Sequence, residues 1–281
     1  NCINTCGKDY RYFFMSQLNV GTLNVGTTQF TGDSSTLNSA PAGTITAMLT
    51  GSPSANHSIV YNGSQWVPQL MEGRLLALNV YTSQNGTHDS YSTSSGSGTW
   101  TKPSGCSNVL VYVTGGGGGA RINDNNYRGC GGGGGGTSIR WIDVSGVNSV
   151  SYSYGGGGRR ARNGGRGSTG GTSSFGSYCT ATGGAGGQSD SPYEGGHGGT
   201  ATGGDINIPG GGGEMSHDHN REGGGGSSFW HKPGSNHHCC GGTYNITAGQ
   251  WGSGGGWGYY SQNAENSSDG GAGCVIVYSY S

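Results

Sequence analysis

The chain has 281 residues, of which 65 are glycine, about 23% against roughly 7% in ordinary proteins. Hydrophobic residues make up 30% and charged residues 10%, with a formal net charge of −1. This composition excludes an ordinary helix-rich enzyme, because dense glycine destabilises helices and the apolar share is far below the usual one. It also argues against nucleic-acid binding, which needs a basic face. No apolar run is long enough to cross a membrane.

The first 70 residues have ordinary glycine content and contain a tandem repeat, Leu-Asn-Val-Gly-Thr, at 18–22 and 23–27. Leucine and valine alternate with polar residues, which is typical of a half-buried strand. We predict that residues 1–70 form a β-rich assembly region, whose strands pair either with a neighbouring copy by strand addition or within their own chain. The side chains expected to mediate assembly are Tyr12, Phe14, Leu18, Val20, Leu23 and Val25.

Further strands are predicted before the glycine-rich zone. Residues 58–68 are typical of two strands around Asn62-Gly63, whose positive φ angles suit a two-residue type I′ turn. Another strand is expected at 73–81 and is followed by a Ser/Gly-rich stretch. We therefore interpret 71–95 as a connecting strand and linker, and 96–281 as a glycine-rich β domain.

Two uninterrupted β-branched runs, at 107–113 and 273–280, predict strong strands at the two ends of this domain. Weaker strand patterns lie between them, at 137–143, 150–154 and 171–175. No stretch of the chain shows convincing helical periodicity. The pattern therefore favours an all-β fold.

Residues 115–274 hold 53 of the 65 glycines, because only twelve lie elsewhere. The glycine runs lack a strict Gly-X-Y period, which excludes a collagen triple helix. An unstructured linker is one interpretation. Packed extended helices of the polyproline II type are another, because glycine backbones can approach closely and bond to one another. Fixing so many glycines costs entropy, so aromatic residues and disulfides are expected as clamps.

Several segments occur in an order that resembles the glycine-rich domains of bacteriophage tail fibres and related virion appendages. They are Ile59–Pro68, Ser97–Gly105, Val109–Gly119, Gly170–Gly176 and Gly271–Tyr278. The resemblance implies a β-sandwich-like glycine-rich domain with polyglycine-II-type segments or long glycine loops, preceded by an extended N-terminal β segment. It places the chain in a fibre or at its tip. The cysteines and glycosylation sequons favour a related extracellular filament protein over a bacterial virus.

The even number of cysteines and the low charge fit an oxidising, extracellular setting. A bridge between Cys106 and Cys274 would close a long loop, and the alternative is that both are separate buried thiols. The chain begins with Asn1 rather than methionine, which predicts a processed or truncated amino terminus. The disulfide candidates are Cys2, Cys6, Cys106, Cys130, Cys179, Cys239, Cys240 and Cys274.

Asn-x-Ser/Thr sequons are candidate glycosylation sites if the chain passes through a glycosylating pathway. They lie at Asn56, Asn62, Asn85, Asn245 and Asn266. A small basic cluster at 159–166 is interpreted as a solvated surface or as a contact for an anionic glycan or a neighbouring acidic surface.

Catalytic and metal-binding patterns are poor. Histidines and cysteines cluster at 217–219 and 237–240, but their spacing matches no known metal site. The carboxylates between Asp143 and Glu222 show no spacing that selects a pair for glycoside hydrolysis. No nucleophile elbow or phosphate-binding loop is present. We therefore expect no catalytic residue, no metal, no cofactor and no enzyme activity.

The aromatic residues of the glycine-rich zone either cover glycine layers as a substitute core or form a binding surface, since Tyr and Trp on loops bind sugars and proteins well. The ligand-binding candidates are Trp230, Trp251, Trp257, Tyr259 and Tyr260.

Two functions follow from these patterns. The first is a disulfide-stabilised structural subunit of an extracellular or virion-associated fibre, which associates with itself through strand addition or sheet edges. The alternative is a distal adhesin that binds a cell-surface glycan or protein. Both place the chain outside the cell or on a virion surface.

Overall fold

The structure is a computed structural model that divides the chain into two compact units, Asn1–Met71 and Glu72–Ser281. Within the described residues every regular element is a β-strand. This part of the chain includes no helix long and apolar enough to cross a membrane. The described residues are 22–25, 28–31, 57–61, 66–70, 73–83, 94–123, 128–161, 165–188, 194–215, 224–232, 249–256 and 267–281.

The described part of the first unit contains two antiparallel hairpins. They are formed by β1 (Thr22–Val25) with β2 (Thr28–Thr31), and by β3 (His57–Tyr61) with β4 (Trp66–Leu70). Tyr61 lies opposite Trp66, so residues 62–65 all belong to the connection. The predicted two-residue turn at Asn62-Gly63 is therefore wrong, because such a turn would pair residue 61 with residue 64.

Two of the six predicted assembly residues fall in these hairpins. Leu23 lies opposite Phe30, and Val25 lies opposite Thr28, so both pair within their own chain. The other four, Tyr12, Phe14, Leu18 and Val20, lie outside the described residues.

The second unit holds the remaining described strands. In chain order they are β5 (Leu75–Tyr81), β6 (Gly96–Thr101), β7 (Asn108–Thr114), β8 (Arg121–Asn123), β9 (Arg128–Cys130), β10 (Thr137–Asp143), β11 (Ser149–Tyr154), β12 (Ser173–Phe175), β13 (Cys179–Ala181), β14 (Ala201–Thr202), β15 (Ile206–Ile208) and β16 (Cys274–Tyr280). Ten of them form two five-stranded antiparallel sheets. Sheet 1 has the order β15-β10-β7-β16-β5, and sheet 2 has the order β14-β13-β12-β11-β6. The predicted all-β, sandwich-like fold is confirmed.

The side-chain core lies between the two sheets. Val109, Val111 and Val113 alternate along β7 and are fully buried, as the period of two in a strand dictates. In sheet 2 the Trp100 and Phe175 rings meet edge to face, with their centroids 5.9 Å apart. The two strong strands expected from the sequence, β7 and β16, are neighbours in sheet 1 and supply most of its buried valines.

Extended glycine-rich runs continue from the strands at one end of the sandwich. For example, β7 leads into the first run, and the second run leads back into β10. The ten described runs are run 1 (115–120), run 2 (131–136), run 3 (155–161), run 4 (165–171), run 5 (182–188), run 6 (194–200), run 7 (209–215), run 8 (224–228), run 9 (252–256) and run 10 (267–273).

The hydrogen bonds of run 1 repeat every three residues. Three consecutive amides donate to three different runs at 2.8–3.0 Å: Gly115 to Gly136, Gly116 to Gly171 and Gly117 to Gly271. The next three residues repeat this order on the same three runs. Three residues per turn is the period of the polyproline II helix, which makes no internal hydrogen bonds and directs its backbone groups outward. The predicted polyglycine-II-type segments are thus confirmed.

Runs 1 and 2 are each enclosed by six neighbours. Run 1 donates to runs 2, 4 and 10 and accepts from runs 3, 5 and 9. Run 2 bonds in the same way with runs 1, 5, 6, 7, 8 and 9. The result is a lattice of three layers, with runs 4, 5 and 6 above, runs 3, 1, 2 and 7 in the middle, and runs 10, 9 and 8 below. The interpretation of this zone as an unstructured linker is therefore wrong.

Glycine is required inside this lattice because the runs touch through their backbones. A Cβ on Gly117 would meet the carbonyl group of Ser253 far inside van der Waals contact, and one on Gly133 would meet that of His197. In outer run 7 a Cβ on Gly213 would also meet a backbone carbonyl, that of Gly131, whereas the nearest atom to a Cβ on Gly212 would lie 3.8 Å away. Glycine is thus required at the positions that face a neighbouring run, and an outer run also has positions where a side chain fits.

Candidate functional site

The second unit has two different ends, one on the sandwich and one on the glycine lattice. At the end of the sandwich away from the lattice, the amide of Gly73 donates to the carbonyl of Ser281 at 2.8 Å, and the amide of Ser281 donates to the carbonyl of Arg74 at 3.0 Å. The chain therefore enters this unit at the pole that lies farthest from the outer end of the runs. We call the outer end of the runs the far end.

Five connections join consecutive runs, and the residues that flank them meet at the far end. Arg121 forms a β-bridge with Ala161, and Cys130 forms one with Met215. The guanidinium group of Arg121 also donates to the carbonyl of Gln188 at 3.0 Å. The connections themselves are residues 124–127, 162–164, 189–193, 216–223 and 257–266, which lie outside the described residues.

The fifth connection departs from the same end, because Ala120 donates its amide to the carbonyl of Ser268 at 3.0 Å. All five pairs of flanking segments are therefore held together by direct contacts around β8 and β9. Five connections of different sequence therefore start and end at the far end of the glycine lattice.

Arg121 is at the centre of this arrangement, and sequence reasoning missed it. Its side chain is only 2% exposed. Burial raises the pKa of the neighbouring Cys130 thiol, and the positive charge of Arg121 opposes that rise. The available signal was a charged residue two positions after the five glycines 115–119, which marks the end of a lattice made of glycine backbone.

The sequences of the connections are rich in residues that are common in binding loops. They read Asp-Asn-Asn-Tyr, Arg-Asn-Gly, Ser-Asp-Ser-Pro-Tyr, Ser-His-Asp-His-Asn-Arg-Glu-Gly and Trp-Gly-Tyr-Tyr-Ser-Gln-Asn-Ala-Glu-Asn. Tyr, Trp, Asn and Ser combine a large contact area with adaptable hydrogen bonding. Three of the predicted ligand-binding residues, Trp257, Tyr259 and Tyr260, belong to the fifth connection and lie outside the described residues.

The structure places the other two predicted ligand-binding residues at the opposite end of the runs. The indole N–H of Trp230 donates to the Oγ1 of Thr114 at 2.9 Å, and its ring centroid lies 5.3 Å from that of Tyr112. Trp251 lies just before run 9, where its carbonyl accepts from the hydroxyl of Ser228 at 2.7 Å. Both residues lie where the lattice meets sheet 1 rather than beside the fifth connection.

The cysteines require a correction. Cys106, Cys130, Cys179 and Cys274 are buried free thiols. In the β7–β16 pair Cys274 lies opposite Thr114, whereas Cys106 precedes Asn108 at the other end of the strands. That separation is roughly 20 Å at about 3.3 Å per residue, and a disulfide needs Cα atoms within about 7 Å. The predicted Cys106–Cys274 bridge is therefore wrong.

Burial also makes these thiols unreactive. It raises the pKa of Cys274 to about 12 and that of Cys179 to about 11. The clamps expected from disulfides are supplied here by backbone hydrogen bonds between runs. The remaining candidates, Cys2, Cys6, Cys239 and Cys240, lie outside the described residues.

The other candidate residues divide between structural positions and undescribed segments. Asp143 accepts from the amide of Ser145 at 2.8 Å, and this bond lowers the pKa of its carboxyl group. The guanidinium group of Arg160, from the basic cluster, donates to the carbonyl of Ser267 at 2.7 Å. Within the described ranges no three metal-ligating side chains come together. The sequons Asn56, Asn62, Asn85, Asn245 and Asn266 and the segments 217–219 and 237–240 lie outside those ranges.

Residues 92–280 match a family model described as a glycine-rich domain. The chain belongs to this glycine-rich domain family. The matched segment contains all ten runs and every strand of the two sheets except β5. The family description names no tail fibre, so the more specific resemblance stays a prediction. No match to a curated protein accompanies it.

Proposed function

We propose that this glycine-rich domain protein is the distal, ligand-binding part of an extracellular or virion-associated fibre. In this proposal the five connections at the far end bind a glycan or a protein on a cell surface. The observation that carries it is the polarity of the unit. All five connections leave one end of the lattice, and the chain enters at Gly73 at the other end.

The lattice is suited to holding binding loops because it is stabilised by its own backbone. In the enclosed runs every amide donates to a neighbouring run and all but two carbonyls accept from one, so the connections are not needed to complete a side-chain core. A rigid scaffold lowers the entropy lost on binding, and loops on rigid scaffolds are where binding residues concentrate.

The chemistry of the connections suits a polar surface ligand. Tyrosine and tryptophan rings present an apolar face and a polar edge, which matches the alternating C–H and O–H groups of sugars and the mixed surface of proteins. Asn, Asp and His side chains add hydrogen-bond donors and acceptors. This composition favours recognition of an uncharged or weakly charged ligand.

The proposal is tested by replacing the connections while keeping the lattice. In one variant of the full chain, 124–127 and 257–266 are replaced by Gly/Ser segments of equal length. A matched control replaces residues 84–93 instead. This segment begins two residues after Thr82, whose hydroxyl donates to the carbonyl of Gly273 at the end of the runs next to the sandwich. Binding is measured on a printed array of cell-surface oligosaccharides and on intact cells, before and after protease treatment.

We expect the first variant to lose at least about tenfold in binding, as removal of central aromatic contacts does in other interfaces, while the control binds like the wild-type chain. Binding that survives protease treatment of the cells identifies a glycan ligand. The proposal fails if the full chain binds neither the array nor cells, or if the first variant binds as well as the control.

A second candidate is a structural fibre subunit that associates through sheet edges. The observation that favours it is β5, an edge strand of sheet 1 with the sequence Leu-Leu-Ala-Leu-Asn-Val-Tyr. Natural edge strands are usually protected by charge, proline or shortness, and β5 has none of these features. Electron microscopy of the purified chain should then show a regular repeat. A chain that stays monomeric at high concentration, with or without residues 1–30, contradicts this candidate.

A further inference from the structure

Sheet 1 carries an apolar surface on the side that faces away from sheet 2. Because Val109, Val111 and Val113 point into the core, Leu110 and Tyr112 lie on the opposite side of β7. Strand register extends that side across the sheet, since Leu110 lies opposite Trp141 on β10 and opposite Tyr278 on β16. We call this side the outer apolar face. Its exposed members are Leu75, Leu78, Val80, Trp141, Ile206 and Phe229.

The exposure of this face is unusual within the described part of the second unit. Leu78 is 51% exposed, Trp141 50% and Ile206 55%. The other exposed large apolar side chains among the described residues, Ile59 and Val60, belong to the first unit. Contiguous exposed apolar side chains mark interaction surfaces in soluble proteins. The outer apolar face therefore has the composition of an interface.

The charge of this face favours a partner with the same surface. Among the strand residues that point outward from sheet 1, Asp143 at the end of β10 is the only charged side chain. Beside these strands, the carboxylate of Asp205 accepts from the amide of Trp141 at 2.8 Å, and the exposed Lys232 follows Phe229 by three residues. A strongly basic or acidic partner would therefore find little complementary charge at the centre of the face. Two copies of the face, in contrast, can meet without opposing like charges near its centre.

The size of the face also fits a second copy. Sheet 1 has four strands of seven residues and the three-residue β15. With strands about 4.8 Å apart and about 3.3 Å per residue, its face covers roughly 490 Å². Two such faces give about 980 Å² of surface, which is close to the roughly 1,000 Å² that specific protein interfaces need. β-Sheets also pack face to face, at a separation of about 10 Å.

We propose that a second copy of this chain packs its outer apolar face against this one, with sheet 1 on sheet 1 about a two-fold axis. Such a contact is isologous, so it closes after two copies rather than growing into a filament. The contact uses the outer apolar face of sheet 1 rather than the β5 edge. It also leaves the five far-end connections accessible, so it does not depend on what they bind.

The test compares the oligomeric state of the full chain with that of two variants, by sedimentation equilibrium. In the first variant Leu78→Lys is combined with Trp141→Lys. Both side chains are half exposed within one copy, so the fold tolerates the change, and each substitution occurs twice in a two-fold interface. The matched control is Ile59→Lys, because Ile59 is 49% exposed on β3 of the first unit.

We expect wild-type chain and Ile59→Lys to form dimers. The double variant should be monomeric, with its dimer dissociation constant raised at least about 100-fold, and with an unchanged circular dichroism spectrum. A monomeric wild-type chain overturns the proposal, as does a double variant that dimerises like the control. Hydroxyl-radical footprinting adds a third outcome: if Trp141 is protected in a monomeric wild-type chain, the chain itself covers the face and the proposal is wrong.

Discussion

The sandwich and the lattice belong to one unit, yet they are held together in different ways. In the sandwich, side chains such as Val111 and Phe175 fill the interior and are fully buried. In the lattice, the interior around runs 1 and 2 contains almost only backbone, and neighbouring runs are joined by amide-to-carbonyl hydrogen bonds. The change occurs along one continuous chain, because β7 leads directly into run 1 at Gly115.

The comparison explains how a chain with 30% hydrophobic residues builds a large unit. Apolar burial stabilises only the sandwich. The lattice relies on many hydrogen bonds, each with a modest net contribution of about 1 kcal/mol, and on glycine where no side chain fits. The two regions should therefore respond differently to the same kind of substitution.

Gly117→Ala should have the largest effect. The added methyl group would overlap the backbone of Ser253, which cannot move without breaking bonds to further runs. We expect a loss of more than about 4 kcal/mol in unfolding free energy, measured by chemical denaturation. Gly212→Ala is the matched control, because its Cβ has room, and it should change stability by less than about 1 kcal/mol. Equal effects at the two positions would mean that the lattice is not backbone-packed.

Phe175→Ala tests the sandwich in the same assay. Phe175 is fully buried against Trp100, and removing a buried ring leaves a cavity. We expect a loss of about 3 kcal/mol. Phe229→Ala should have a much smaller effect, because Phe229 lies on the outer apolar face and is exposed. If the two variants lose stability equally, the assignment of the core to the inner faces of the sheets is wrong.

Thr114→Val probes the boundary between the two regions. The buried Oγ1 of Thr114 lies 2.9 Å from that of Thr137 and accepts the indole N–H of Trp230. Valine keeps the shape but leaves a buried donor without a partner, so we expect a loss of about 1–2 kcal/mol. Thr99→Val, at an exposed position of β6, should be nearly neutral. A neutral Thr114→Val would show that Trp230 does not depend on this bond.

Raising the pH should produce the smallest effect, also at this boundary. The folded Cys274 thiol keeps its proton up to about pH 12, whereas the unfolded thiol releases it near its ordinary value of 9.0. Stability is therefore full below pH 9 and falls as the pH rises above it. We expect the thermal midpoint to drop by about 3 °C between pH 8 and pH 10. In Cys274→Ala this dependence should be shallower, and an unchanged slope would contradict the buried placement.

The sequence predicted local features well and long-range contacts poorly. β7, β10 and β16 lie within one residue of their predicted bounds, because their β-branched runs reflect local preference. The lattice was only one of two interpretations, since its three-residue period exists in hydrogen bonds between runs rather than in side chains.

The features that were missed depend on how distant segments meet. The wrong Cys106–Cys274 bridge ignored the antiparallel register of β7 and β16. The meeting of Trp230 with Thr114, and the contacts of Arg121 with two other run pairs, join residues far apart in the sequence. No local pattern carries that information.

The three-residue repeat of the lattice restricts how the length of a run can change. Inserting one or two residues into run 1 would rotate every later amide toward the wrong neighbour, whereas three residues restore the pattern and add about 9 Å of height. Run 1 has six neighbours, so a taller lattice requires the same insertion in all ten described runs. The far-end connections are not restricted in this way, so differences in length between related sequences should concentrate in them. Differences in the length of the runs should come in steps of three residues.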